Sequence, residues 1–175
     1  IYYRLAARAS RNPDANIAAV SAALREEGLL IADETSRQVR SQVTGLGVIP
    51  GTEGGFGGMQ NIVSKKTMTI AALQPDEVYL NQTLAPLLNA KAGDTIYVYS
   101  QHWPGQRFVM RVAAVVNNSG LVGDNSFLLA RPDYFRRVEH DPDGISQIFI
   151  ANRGGGGLSG LGLSDSVADT LHDWI

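Results

Sequence analysis

The amino-acid sequence predicts an α+β fold in which a mixed sheet is combined with short helices. Short segments that alternate apolar and polar residues, as strands do, recur along the second half of the chain. Short helical patterns with capping or turn residues lie between them. The chain has 175 residues, of which 44% are hydrophobic and 18% are charged, and this composition is typical of a folded globular protein.

The first third of the chain begins with two predicted helices. Two tyrosines followed by a basic, alanine-rich stretch indicate the first helix at the very start of the sequence. Ile17, Val20 and Leu24 recur at helical spacing and Gly28 is a suitable C-cap, so the pattern predicts a second helix over 17–28. The elements predicted after it are a strand at 29–31, strand character at 37–49, a glycine-rich loop at 50–58 and a strand at 68–73.

The middle of the chain carries the clearest pattern, which is a strand, a capped helix, a tight turn and a second strand. Residues 78–80 form the predicted strand, and Asn81 can cap a short helix that continues through Leu88. Gly93 supplies the backbone freedom that a tight turn needs, and Asp94 can bond nearby amides in it. The elements predicted beyond this turn are strands at 95–99, 108–116, 126–130 and 145–151, a short helix at 131–138 and a final helix from Ser164 or Asp165.

Charge and cysteine content exclude several classes of protein. The net charge of -2 at pH 7 and the isoelectric point near 5.9 provide no electrostatic footprint for nucleic acid or for an anionic membrane surface. The absence of cysteine excludes disulfides, thiolate metal sites and a cysteine nucleophile.

No segment of the sequence is apolar over the length of a membrane span, since the strongest apolar run is Val112–Val116 and a membrane-spanning helix needs roughly 20 residues. Because the first residue is Ile1 rather than methionine, we expect the chain to begin inside a longer gene product or after processing.

The sequence carries no motif of a cofactor-binding or catalytic loop. No glycine run is followed by the Lys-Ser or Lys-Thr of a P-loop, and the G-x-S-x-G elbow of hydrolases is missing. Gly155, Gly157 and Gly160 have the spacing of a dinucleotide fingerprint, but so glycine-rich a run is better interpreted as a flexible linker. Glu26 and Glu27 are adjacent, and adjacent positions on a helix do not face each other, so no catalytic carboxylate pair is predicted.

Metal binding is not indicated either. His102, His140 and His172 are each isolated in the sequence, so a surface position is predicted for all three. The acidic turn at 140–144 lacks the glycine position and the final glutamate of a calcium-binding EF-hand loop. We therefore expect a domain that holds no metal and no cofactor and that is not itself an enzyme.

Two consecutive segments of the middle region carry a family resemblance. They are VYLNQTLAPLLNAKAGDTIYVYS, at Val78–Ser100, and FVMRVAAVV, at Phe108–Val116. Their order of strand, capped helix, Gly-Asp turn and strands resembles the MacB-like periplasmic core domain of FtsX-family ABC-transporter permeases. Asn81, Gly93 and Asp94 fall on the family's motif, and their roles in it are structural, so the motif identifies the domain rather than a site.

The resemblance implies a single extracytoplasmic domain over 1–175 with two lobes. A β-rich lobe would cover about 76–143 of the chain. A membrane-proximal α/β lobe would be formed by the two chain ends, at about 1–75 and 144–175.

The resemblance also implies a function in transport. Membrane helices would adjoin both ends of the domain, and Tyr2, Tyr3 and Trp174 would be residues of the membrane interface. A cognate ABC ATPase would lie across the membrane without contacting this domain, and the full-length permease is expected to dimerise. The domain would pass ATP-driven motion to an exported substrate, a lipoprotein or a periplasmic or surface protein.

Two alternatives remain open from the sequence. A free-standing periplasmic binding or adaptor module would carry a signal peptide or lipid anchor and no second membrane span. A hydrolase whose catalytic groups converge from distant positions would show turnover that a single substitution abolishes.

Three large side chains on loops are candidates for contact with a partner protein. They are Phe56 in the glycine-rich loop, Met59 just after it, and Trp103 at the tip of a predicted hairpin. The alternative is that these side chains fold back onto the core, as large apolar side chains usually do.

Overall fold

The computed structural model describes residues 1–118, 120–139, 144–154 and 158–175. Its helices are α1 (Tyr2–Arg11), α2 (Leu84–Leu88), α3 (Pro132–Glu139), α4 (Leu158–Leu161) and α5 (Ser164–Trp174). Its strands are β1 (Ile17–Asp33), β2 (Val39–Val48), β3 (Met59–Gln60), β4 (Thr67–Met68), β5 (Glu77–Asn81), β6 (Thr95–Tyr99), β7 (Phe108–Val116), β8 (Phe127–Ala130) and β9 (Gln147–Asn152). His140, the three residues after it, Gly155 and Gly157 lie outside the described residues, so what was predicted for them stays a prediction.

Seven strands form one mixed sheet in the order β2-β8-β5-β7-β6-β1-β9. Because β1 also pairs with β2, six of these strands make a closed ring, and β9 adds to β1 outside it. The pairs β2–β8 and β5–β7 are parallel, and the other pairs of this sheet are antiparallel. The predicted α+β class, with a mixed sheet and short helices, is confirmed.

The helix predicted over 17–28 is wrong, because these residues belong to the long strand β1. Residues 17–23 of β1 pair with β9, residues 30–33 pair with β6, and the opposite edge pairs with β2. Gly28 has φ +69° at an irregular step of the β1–β2 register, where it lets the strand bend instead of capping a helix. Helix propensity is a weak preference, and the pairing of β1 with three distant strands overrides it.

The strand predicted at 68–73 is largely wrong as well. Strand β4 ends at Met68, and Ile70–Ala72 form a 3-10 turn. The buried carboxylate of Glu53 accepts a 2.8 Å hydrogen bond from the backbone N–H of Ile70. This side chain therefore takes the place that a neighbouring strand would have had as hydrogen-bond acceptor.

The elements predicted from residue 78 onwards are confirmed, with small changes at their ends. In β5, Val78 and Leu80 belong to one apolar cluster and Tyr79 to a second, as the alternation of side chains along a strand requires. A third, smaller cluster joins Ile17 at the start of β1 to Val167 of α5. Strands from both predicted lobes pair within the same sheet, and the boundary between the lobes stays a prediction.

Candidate functional site

The polar centre of the middle segment is Asn81, whose side chain is completely buried at the end of β5. The N-cap residue of α2 is Thr83 and not Asn81, as the sequence had predicted, because Asn81 still belongs to β5. Oδ1 of Asn81 nevertheless accepts hydrogen bonds from the backbone N–H groups of Leu84, at 3.1 Å, and Phe127, at 3.0 Å. Its Nδ2 donates to Oδ1 of Asn118, at 2.9 Å, and to the carbonyl of Asn125, at 2.7 Å. One amide thus joins β5, the start of α2 and the start of β8, and both of its polar atoms are satisfied.

The Gly-Asp turn leads from α2 into β6 and lies against β7. Gly93 has φ +96°, a conformation that favours glycine, and its N–H donates to the carbonyl of Val112 at 2.7 Å. Oδ2 of Asp94 accepts a 2.8 Å hydrogen bond from the N–H of Lys91, and the carbonyl of Asp94 accepts one from Val112 at 2.9 Å. These contacts are structural, and they fix the direction in which β6 leaves the turn.

The two ends of the chain lie together. The guanidinium of Arg8 in α1 donates a 3.0 Å hydrogen bond to the carbonyl of Trp174 and lies 5.8 Å from the centre of the indole ring. Ile1 and Ile175 line the same small pocket beside this contact, and both are exposed. The chain therefore enters and leaves the domain on the same side.

The two tyrosines at this end differ in exposure. Tyr2 is buried, and burial together with the neighbouring Tyr3 raises the pKa of its hydroxyl. Tyr3 is 72% exposed, and its ring meets that of Tyr2 edge-on at 4.9 Å between centroids. Tyr3, rather than Tyr2, presents an aromatic surface at the side where the chain ends meet.

A buried carboxylate lies where β1 passes the end of β6. Oε1 of Glu26 accepts a 2.5 Å hydrogen bond from the hydroxyl of Ser100 and lies 2.7 Å from Nδ1 of His102. The side chain of Glu26 is 1% exposed, whereas that of His102 is 67% exposed. The sequence therefore placed His102 correctly at the surface but missed its contact with Glu26, which is 76 positions earlier in the chain.

Glu27 points away from this cluster. Its carboxylate accepts hydrogen bonds from the guanidinium of Arg25 and, at 2.9 Å, from the hydroxyl of Thr44. The hydrogen bond from Arg25 is the main reason that the pKa of Glu27 is lowered. Glu26 and Glu27 form no carboxylate pair, but the reason is the alternation of side chains along a strand and not the helical spacing assumed from the sequence.

The cluster of Ser100, His102 and Glu26 differs from a catalytic triad. A triad places the imidazole between the hydroxyl and the carboxylate. Here the carboxylate of Glu26 lies between the hydroxyl and the imidazole. The hydroxyl oxygen of Ser100 also accepts a 3.1 Å hydrogen bond from the backbone N–H of His102. In this arrangement the hydroxyl of Ser100 donates to the carboxylate of Glu26, and the cluster holds the loop after β6 against β1.

The three candidate partner-contact residues lie apart from one another. Met59 is 3% exposed and belongs to the apolar core beneath the glycine-rich loop, so it offers no surface to a partner. Phe56 is half-buried, and its ring packs edge-on against Phe149 at 6.4 Å between centroids. Trp103 is half-buried too, and it packs against the core cluster that contains Leu24 and Val98.

Among the described residues, no helix is both long and apolar enough to cross a membrane. The same residues contain no group of three or more histidine, aspartate or glutamate side chains that could hold a metal ion.

Comparison with known proteins finds likeness in structure rather than in sequence. No family model matches the chain, and no curated protein matches it. The periplasmic region of MacB from Actinobacillus actinomycetemcomitans matches with a TM-score of 0.56 at 12% identity, over 94% of this chain and 70% of that one. The extracellular domain of the noncanonic ABC-type transporter YknZ from Gram-positive bacteria matches with a TM-score of 0.54 at 12% identity, over 90% and 76%.

A third match is a domain of a protein from Porphyromonas gingivalis that is described as a permease. Its TM-score is 0.52 at 13% identity, over 91% of this chain and 63% of that one. All three structures are transporter or permease domains, and those of MacB and YknZ are periplasmic or extracellular. The chain therefore has the fold of the MacB-like periplasmic domain, as the resemblance in its middle segment predicted.

Proposed function

We propose that this chain is the extracytoplasmic domain of an ABC-transporter permease, and that it passes ATP-driven motion to an exported substrate, a lipoprotein or a partner protein. The observation that carries the proposal is the fold, which the chain shares over at least 90% of its length with three transporter or permease domains. A cognate ATPase on the other side of the membrane would supply the energy, and two permease chains would form the transporter.

The position of the chain ends supports this proposal. A domain inserted between two membrane helices has to leave the membrane and return to it on the same face. The contact of Arg8 with Trp174 brings the ends together, and the exposed Tyr3 beside them suits the interface between lipid and water.

The packing of the chain ends supports a mechanical role. Val167 of α5 belongs to one apolar cluster with Ile17, the first residue of β1, and with Ala15 in the turn before it. Strand β1 then pairs with β9, β2 and β6, so a displacement of the ends would enter the closed ring through one continuous strand. A packed core resists deformation, and the ring would therefore move as a body.

The experiment uses the full-length protein with its ATPase. The chain has no cysteine, so Ser10→Cys in α1 and Gln60→Cys in β3, both at exposed positions, introduce single reporters into the domain. A membrane-impermeant maleimide is expected to label both in intact cells, while a cysteine in the ATPase is labelled only after lysis. Labelling of Ser10→Cys and Gln60→Cys only after lysis would overturn the extracytoplasmic assignment.

The same Ser10→Cys variant tests the motion. A spin label at this position in a permease dimer reports the distance between the two copies. We expect the distance distribution to shift when ATP is added to the complete transporter. A distribution that ATP leaves unchanged would count against transmission of motion through α1.

We also propose that the domain is not an enzyme. The order of the groups in the Ser100, Glu26 and His102 cluster supports this, because the hydroxyl of Ser100 donates to a carboxylate, whereas the serine of a catalytic triad donates to an imidazole. A serine-directed activity probe is therefore expected to leave the protein unlabelled. Labelling that Ser100→Ala abolishes would contradict the proposal.

A further inference from the structure

An apolar groove lies beside α2, next to the Gly-Asp turn. One wall is the turn after β3, with Ile62 and Val63, and the other is formed by Ala85 and Pro86 of α2 and by the residues that follow the helix. Val115 of β7 also lines the groove, whose volume is about 470 Å³. Val63 is 85% exposed at the edge of the groove, where it extends the apolar surface of the lining.

Lysines lie on or directly beside both walls of this groove. The chain has three lysines, Lys65, Lys66 and Lys91, and its other side-chain cations at neutral pH are arginines. Lys91 lines the second wall, and Lys65 and Lys66 directly follow Ser64, which lines the first. All three are exposed, and none of them forms a salt bridge within the part of the chain that the structure describes.

No acidic side chain is among the described residues that line the groove. The groove, defined by its two walls and its three lysines, is therefore a local cationic and apolar surface on a protein whose net charge is -2. A ligand that fits it would combine apolar side chains with carboxylates, because lysines at the rim of an apolar contact favour partners of opposite charge.

Hydrogen bonds within the chain hold the backbone of both walls of the groove. In the turn, Oδ1 of Asn61 accepts hydrogen bonds from the N–H groups of Val63, at 2.8 Å, and Ser64, at 3.0 Å. The N–H of Ile62 donates to the carbonyl of Val115 at 3.0 Å, which attaches the turn to β7. On the other wall, Asp94 holds the backbone N–H of Lys91 at 2.8 Å. A preformed surface of this kind avoids much of the entropic cost of ordering a binding loop.

We propose that this groove binds an acidic, apolar segment of a partner protein. The apolar side chains of the segment occupy the groove between Val63 and Pro86, and its carboxylates lie at the lysine rim. A protein segment fits better than a lipid surface, because the apolar residues line a cleft between two walls. The proposal goes beyond the transport function and does not depend on it, since the groove would bind the segment whether or not the domain belongs to a permease.

The test measures peptide binding to the 175-residue chain by fluorescence anisotropy. The probe is a fluorescent nonapeptide with two leucines and one phenylalanine among four glutamates. One matched peptide has lysine for glutamate, and another has serine for the three apolar residues. We expect binding of the acidic, apolar peptide alone, and we expect it to weaken about tenfold between about 50 mM and about 500 mM salt.

Substitutions test whether the peptide binds in the groove. Lys91→Glu and Val63→Asp are each expected to weaken binding about tenfold, which corresponds to about 1.4 kcal/mol. Two controls at exposed positions outside the groove, Arg11→Glu in α1 and Val39→Asp in β2, are expected to stay within about twofold of the unmodified chain. Circular dichroism and thermal unfolding of each variant check that the fold is retained.

Several outcomes would overturn the proposal. Lack of binding by the acidic, apolar peptide at millimolar concentration, or equal binding by the Lys91→Glu variant, would show that the groove does not recognise this chemistry. Binding to phosphatidylglycerol vesicles that Val63→Asp abolishes, without peptide binding, would assign the surface to a membrane. Dimerisation of the chain that Val63→Asp abolishes, again without peptide binding, would assign it to a second copy. None of these results would alter the labelling of Ser10→Cys in intact cells, so the two proposals can fail separately.

Discussion

Two buried polar side chains connect the strands of this sheet in different ways. Asn81 is a neutral amide, and each of its hydrogen bonds goes to another neutral group of the chain. Glu26 is a carboxylate, and one of its two partners is His102, whose side chain is largely exposed to solvent.

The difference shows that a neutral and a charged side chain need different contacts to be stable in the interior. A buried neutral amide is stable once its hydrogen bonds are complete, and it needs no compensating charge. A buried carboxylate loses much more solvation, and hydrogen bonds or a nearby cation have to offset that loss. We therefore expect the Asn81 centre to depend on the number of its hydrogen bonds, and the Glu26 centre to depend on its charge.

The largest effect is expected at Asn81. Replacing it by alanine leaves the N–H groups of Leu84 and Phe127 without their acceptor, and each buried, unsatisfied group costs about 1–3 kcal/mol. We expect Asn81→Ala to lower the free energy of unfolding by about 4 kcal/mol. Urea unfolding measures this loss, and Gln82→Ala, at the exposed next position, is expected to change it by less than about 0.5 kcal/mol.

A loss below about 1 kcal/mol for Asn81→Ala would mean that water replaces the amide at both N–H groups. The Asn81 centre would then be open to solvent, and the contrast with Glu26 would disappear.

The second prediction concerns how Tyr79, two positions before Asn81 in β5, responds to alkaline pH. Burial, followed by the charges of Glu77 and Glu53, raises the pKa of Tyr79 to about 12 from 10.0. The neutral hydroxyl is thus favoured in the folded state, so its contribution to stability is complete below pH 10 and disappears as the pH rises to 12. A difference of two pKa units corresponds to a loss of about 2.7 kcal/mol.

The measurement compares the free energy of unfolding at about pH 9 and about pH 12. Tyr79→Phe is expected to lose about 2 kcal/mol less over this range than the unmodified chain, because the full loss of about 2.7 kcal/mol is reached only above about pH 12, whereas Tyr3→Phe, at an exposed position, is expected to lose as much as the unmodified chain. An equal alkaline loss for Tyr79→Phe and the unmodified chain would contradict the burial of this hydroxyl. At neutral pH the same substitution removes the 2.9 Å hydrogen bond to Thr69, at a cost of about 1 kcal/mol.

The two centres also differ in how far the sequence predicts them. Around Asn81, the cap, the Gly-Asp turn and the alternation of the flanking strands are local signals, because each depends on residues within a few positions. These signals predicted the elements from residue 78 onwards, together with the mixed α+β class and the family fold.

Around Glu26 the local signals were misleading. The spacing of Ile17, Val20 and Leu24 fits a helix, and the partners that make β1 a strand are far away in the sequence. Once the segment was taken for a helix, Glu26 could not be assigned to the interior, although Arg25 and Glu27 flank it in the period-two pattern of a strand. Contact with Ser100 and His102 depends on the pairing of β1 with β6, which no local pattern encodes.

The smallest effect is expected for Glu26→Gln. The substituted amide retains an oxygen that can accept from Ser100, so the hydrogen bond remains while the charge is lost. We expect a loss of about 1–2 kcal/mol in the free energy of unfolding at neutral pH, because hydrogen bonds to a charged group are stronger than neutral ones. Thermal or urea unfolding measures it, with Glu27→Gln as the control.

The control separates the charge of a buried carboxylate from that of an exposed one. The side chain of Glu27 is 62% exposed and its partner Arg25 is also partly exposed, so Glu27→Gln is expected to change stability by less than about 1 kcal/mol. If Glu26→Gln instead stabilises the chain, the cost of burying the carboxylate exceeds what Ser100 and His102 return. The Glu26 centre would then be retained at a cost to stability, and its exposed histidine would be the feature to explain.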